Sequence, residues 1–173
     1  MKKLIVMASL LLGAMFTANA QDNDGMGIEI KAGADIASFT GGGASINATG
    51  FGLGAAYNIS VSEKLAIAPG LGYTSLTFDF FGMDLKASQL QIPVTAKYAI
   101  SENISGLVGA KYGMFLDKDF KDGMDKSANL SLEAGAAYGF TESLFGEVKY
   151  AYGLTDFGGA KLNGFLISVG YKL

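Results

Sequence analysis

Between Asn129 and Thr155 the chain alternates residue by residue, and this period of two limits its fold more than any other feature. Leu130, Leu132, Ala134, Ala136 and Tyr138 form one set; Ser131, Glu133, Gly135, Ala137 and Gly139 form the other. After the polar break Thr141-Glu142-Ser143 the pattern resumes, with Val148, Tyr150, Tyr152 and Leu154 against Glu147, Lys149, Ala151 and Gly153. Side chains repeating with period two point to opposite faces of a strand, so the stretch reads as a β-hairpin with one apolar and one polar face. In a membrane barrel the apolar face meets lipid and the Glu and Lys residues point inward. In a soluble barrel the faces are exchanged.

The same alternation marks eight segments. Met26–Ile36 sets Ile28, Ile30, Ala32, Ala34 and Ile36 against Glu29, Lys31, Gly33 and Asp35. Thr49–Tyr57, Lys64–Thr77, Lys86–Ile100, Ile104–Leu116 and Leu162–Leu173 follow suit, with the opening hairpin as segments six and seven. Connections after segments two, four and six are short: Tyr57-Asn-Ile-Ser, Tyr98-Ala-Ile-Ser and Tyr138-Gly-Phe-Thr, each followed by a glutamate (Glu63, Glu102, Glu142). This recurrence reads as an internal repeat of one hairpin unit. The other connections are longer, polar or glycine-rich: 37–48, 78–84, 117–128 and 156–161. Short turns on one rim and long loops on the other are the arrangement of outer-membrane barrels, whose short side and termini face the periplasm. Tyr57, Tyr98, Tyr138 and Tyr171 fall near the short-turn rim and Tyr73, Tyr112 and Tyr150 toward the other, forming two expected interfacial belts.

Composition narrows the chemistry. Half of the 173 residues are hydrophobic, yet beyond the N-terminus no continuous run approaches the roughly 20 residues of a membrane helix. There is no Cys and no His, which removes disulfides, thiolate chemistry, the usual general base and the commonest metal ligand. No cofactor or metal is expected. Lys2-Lys3, the apolar run Leu4–Phe16 and Ala18-Asn19-Ala20 read as an export signal over residues 1–20, leaving 21–173 as the barrel. Without it the balance is 11 basic against 16 acidic residues, which argues against nucleic acid as a partner.

The strand Leu90-Gln-Ile-Pro-Val-Thr-Ala-Lys-Tyr98, the Gly-x-x-Tyr strand endings and the terminal strand carry a resemblance. They are similar to the small outer-membrane β-barrel proteins of the Bacteroidetes-type "porin family", and more loosely to OmpA/OmpX-like barrels. The resemblance implies an eight-stranded antiparallel up-and-down transmembrane β-barrel in the Gram-negative outer membrane. It also implies that Phe165, Ile167, Val169 and Tyr171 are the signal read by the barrel-assembly machinery, with Leu173 where an aromatic residue is usual. As a fold-level likeness it names no activity.

Eight strands enclose an interior that side chains can fill. The inward set comprises Gly and Ala with Glu29, Lys31, Gln89, Gln91, Thr95, Lys97, Lys111, Glu133, Glu147, Lys149 and Ser168. Pairing segments five and six about Asp122 puts Lys111 directly opposite Glu133, with Lys149 within diagonal reach and Glu147 nearby. This network reads as a structural plug satisfying buried charges, or as a charged constriction passing water or small ions. Outer-membrane lipid is the expected partner, and any extracellular surface partner would meet loops 37–48, 78–84 and 117–128.

Other strings carry less. Gly50-Phe-Gly52-Leu-Gly54 looks like a dinucleotide loop but lacks a following helix. Asp117-Lys-Asp119-Phe-Lys-Asp122-Gly123 departs from the spacing of a calcium loop and reads as solvated. Phe78, Phe80, Phe81 and Met83 read as a continuation of the interface belt or as an adhesive patch. Two alternatives remain open at this point: a lipocalin-like soluble barrel with an apolar interior, and an outer-membrane enzyme working without histidine.

Overall fold

The computed structural model describes residues 27–41, 43–80, 83–117 and 126–173. The expected export signal, Gly42, Phe81 and most of the string 117–123 lie outside them. Eight antiparallel strands follow in chain order: β1 (Gly27–Gly41), β2 (Ala44–Ser60), β3 (Leu65–Phe80), β4 (Met83–Ala99), β5 (Ile104–Phe115), β6 (Ala128–Gly139), β7 (Leu144–Gly153) and β8 (Ala160–Lys172). Each pairs with the next, and β8 pairs with β1 from Glu29↔Lys172 to Gly41↔Ala160, so the sheet closes. Closure leaves no unpaired edge along the shared wall, which is what a strand needs in hydrocarbon, where water cannot satisfy its backbone.

The two faces separate as a lipid-facing barrel demands. Val148 and Ile167, paired directly across β7 and β8, are half exposed on the outer wall at 50% and 48%, whereas Lys149, the next residue along β7, is 6% exposed. Apolar side chains look outward and ionic ones inward, so the lipocalin-like arrangement does not apply.

Two loop expectations are corrected. Segment 37–48 is almost entirely strand, since β1 and β2 stay paired to Gly41↔Ala44 and turn through Gly43, whose φ of +82° suits glycine. Likewise β3 and β4 continue to Phe80↔Met83, so 78–80 and 83–84 are paired strand. The period of two persists there with different outward residues. Past Ile36, Phe51, Tyr73 and Leu90 the outward positions become Ser38, Thr40, Ser45, Asn47, Thr49, Ser75, Thr77, Lys86 and Ser88. About ten tilted residues cross the hydrocarbon, and β1–β4 have 15, 17, 16 and 17. These four strands overshoot the membrane as a polar-faced blade, while β5–β8, with 12, 12, 10 and 13, stop near it.

The short turns share one geometry. Val61, Ile100 and Phe140 donate their N–H to Leu65, Ile104 and Leu144 at 2.8–2.9 Å. The hydroxyls of Ser62, Ser101 and Thr141 accept the N–H of those same three residues. The repeat is therefore apolar-Ser/Thr-Glu-x, and its first copy starts at Val61, two residues later than a count from Tyr57 suggests. In consequence Tyr57 lies two residues deeper than Tyr98 and Tyr138, and Ile59 occupies the equivalent rim position.

Candidate functional site: the barrel interior

The inward side chains are stacked in layers along the barrel. Nearest the short-turn rim, Glu29 is fully buried; it accepts hydrogen bonds from Lys97 Nζ at 2.5 Å and Asn58 Nδ2 at 3.0 Å, and Lys31 Nζ lies 3.3 Å away as an ion pair. Lys31 also reaches Glu147 at 2.8 Å, and the Ser168 hydroxyl adds a 3.5 Å contact to the same carboxylate. Two acids and two bases thus neutralise one another across β1, β4 and β7. Lys97 also lies 5.5 Å from the centre of the Phe145 ring, on the short-turn side of this layer. Gly170 makes room for that ring, since a Cβ there would overlap it.

A second layer lies farther out. Glu133 receives Lys111 at 2.8 Å and Lys149 at 3.0 Å, with the three side chains 1%, 9% and 7% exposed. The register differs from that read about Asp122: Gly109 faces Glu133 and Ser131 faces Lys111. The shift leaves both residues on the inner face, and the long Lys111 side chain spans the diagonal. Glu147 is not part of this group; it belongs to the Glu29 layer through Lys31. Between the layers a cavity of about 70 Å³ is walled in part by Gly33, Gly52, Gly54 and Gly72. A Cβ on Gly33 or Gly135 would run into the backbone of the neighbouring strand, so glycine permits this close approach.

Above the ionic layers the inner surface turns polar and then apolar. Gln91 donates to Gln89 Oε1 at 3.2 Å, and Asp35, Thr74, Asn129 and Ser131 are buried beside them. At the outer mouth Phe39, Ala48, Leu76, Phe78, Ala87, Phe115 and Leu162 form one packed cluster. Phe157, from the β7–β8 loop, closes over it with ring centres 5.5 Å from Phe39 and 6.0 Å from Phe115. Phe78 is only 2% exposed and belongs to this plug, not to an outer belt or adhesive patch. The side chains of Phe80 and Met83 lie outside the described set.

Sequence reading missed this plug and the central position of Glu29. The signal was present: Phe39 is in phase with Glu29 and Asp35, Phe78 with Thr74, Phe115 with Lys111 and Leu162 with Ser168. For Phe39 and Phe78 the same parity continues past the segment ends at Ile36 and Thr77, whereas Phe115 and Leu162 lie inside their segments. On the outer wall Tyr73, Tyr98, Tyr112, Tyr138, Tyr150 and Tyr171 are 38–54% exposed, and Phe165, Ile167, Val169 and Leu173 project outward along β8. At the β4–β5 rim the Asp117 carboxylate accepts the N–H of Ser88, ending the ladder there.

An unbroken eight-stranded wall, apolar without and ionic within, defines a transmembrane β-barrel of the outer-membrane kind. The chain belongs to the family described as the outer membrane protein beta-barrel domain, whose model matches residues 7–172. Among solved structures it resembles Neisserial surface protein A, with a TM-score of 0.63 and 16% identity over 87% of this chain and 99% of that one. It also resembles Ail, the attachment invasion locus protein of Yersinia pestis, with a TM-score of 0.58 and 19% identity over 85% and 99%. A designed transmembrane β-barrel matches at a TM-score of 0.51 and 18% identity, covering 88% of this chain and all of its own. At such identities the likeness is one of fold. No curated protein sequence matches the chain.

Proposed function

We propose that this chain is a sealed barrel of the Gram-negative outer membrane with a structural and surface-presenting role, neither a pore nor an enzyme. The observation that carries the reading is the stacking of three closures in one lumen: the Glu29 layer, the Glu133 layer and the aromatic plug. Each lysine in the layers contacts a glutamate within 3.3 Å, so no ammonium group lacks a carboxylate beside it. With no His or Cys in the chain, and with Glu29, Glu133 and Glu147 each held by lysine, the interior offers no acid–base pair suited to hydrolysis. Residues 1–20 serve as the export signal, and the outward row Phe165–Leu173 presents the assembly machinery with an apolar strand end. The blade of β1–β4 is the part of the wall placed to meet an extracellular partner.

Conductance of the refolded barrel in planar bilayers tests the seal. The expected result is no discrete channel events. The competing reading, a narrow charged pore, draws on the cavity between the two ionic layers. It requires steady conductance that changes with Glu133→Ala and Lys149→Ala, and that result would overturn the sealed-barrel proposal.

A further inference from the structure

Between the upper ionic layer and the aromatic plug lies a second, smaller cavity of about 30 Å³. Three residues that line it each carry a buried polar atom without a hydrogen-bond partner: Asp35 Oδ2, Asn129 Oδ1 and Gln89 Nε2. These residues are 7%, 4% and 2% exposed. The orientation of the Gln89 amide follows from its bond to Gln91, which uses Oε1 as acceptor and leaves Nε2 as the donor.

A buried polar group without a partner costs about 1–3 kcal/mol, and native proteins seldom tolerate three around one void. Two acceptors and one donor are what a single water molecule satisfies, donating twice and accepting once. A site needs roughly 10–15 Å³ of such space per water and two to four polar partners, so this chamber has room for one or two.

We propose that this chamber is a built hydration site, in which ordered water joins Asp35, Asn129 and Gln89 and completes the polar interior beneath the aromatic plug. Water fits better than a monovalent cation. Lys111 lines the same cavity, and the Lys111–Glu133–Lys149 group has one formal positive charge in excess. Asp35, the neighbouring acid, offsets that charge without any added ion. The inference is independent of the sealed-barrel reading, because an internal water can sit in a conducting or a closed lumen.

Crystals of the refolded barrel grown in sodium chloride and soaked in rubidium chloride test it, together with water-to-amide cross-relaxation in ¹⁵N-labelled protein in micelles. The expected result is solvent density within hydrogen-bond distance of Asp35 Oδ2 and Asn129 Oδ1, without rubidium anomalous signal. Strong water cross-peaks to the Gln89 side-chain amide should accompany it, and Asn129→Leu should weaken them. If that variant fails to fold, Ala151→Val, on the wall of the same cavity, should displace or remove the solvent peak. A rubidium peak at the site, or a chamber without solvent density or cross-peaks, would overturn the proposal.

Discussion

Replacing Glu133 by alanine removes the carboxylate that two ammonium groups share. Charges about 3 Å apart attract by roughly 5 kcal/mol per pair at an effective dielectric constant of about 20. Removing each ion from water returns several kcal/mol of that gain. What remains after the substitution is Lys111 and Lys149, both less than a tenth exposed, held side by side without the carboxylate that they shared. The expected loss is about 3–5 kcal/mol, the usual result of stranding one half of a buried ion pair. Lys149→Met should cost less, roughly 1.5–3 kcal/mol, because Glu133 keeps Lys111 at 2.8 Å and only one charge-assisted hydrogen bond is lost. Replacing all three residues together (Lys111→Met, Glu133→Leu, Lys149→Met) should be close to neutral, since the desolvation cost disappears with the attraction. Urea unfolding in phospholipid vesicles, followed by circular dichroism and gel mobility, gives the three values. Were Lys149→Met to cost as much as Glu133→Ala or more, the shared-carboxylate account would be wrong.

Three further outcomes follow from the wall, the plug and the glycines. Val148→Lys, facing lipid at mid-wall, should destabilise the barrel by about 2–4 kcal/mol, whereas Thr49→Lys at the base of the blade should cost close to nothing; equal costs in vesicles would displace the membrane boundary. Phe115→Ala should cost about 3–5 kcal/mol in the same unfolding assay yet open no conductance, because both ionic layers stay in place below it. Gly170→Ala should cost about 1–3 kcal/mol by crowding the Phe145 ring. Combining it with Phe145→Leu should recover part of that loss, and strict additivity in the double-mutant cycle would show that the two positions do not touch.

The period of two settled from sequence alone which side chains face lipid and which face the lumen. A strand has only two faces, and a shift of one residue would bury Val148 and expose Lys149. That is why Glu29, Lys97, Lys111, Glu133, Glu147 and Lys149 could all be assigned inward before their neighbours were known, and why the outward polar run beyond Ile36 and Phe51 was mistaken for loop. Polarity changed at the membrane boundary while the alternation did not. Partner choice within the lumen required the closed barrel. Register on β5 and β6 moved Lys111 two positions from the expected alignment without changing its face. Lys31 finds Glu147, 116 positions away in the chain, only because β8 closes on β1 and the strands slant around the axis. Local pattern decides the face of a residue because that depends on its immediate neighbours. Closure decides its height in the lumen, because height depends on the pairing of all eight strands at once.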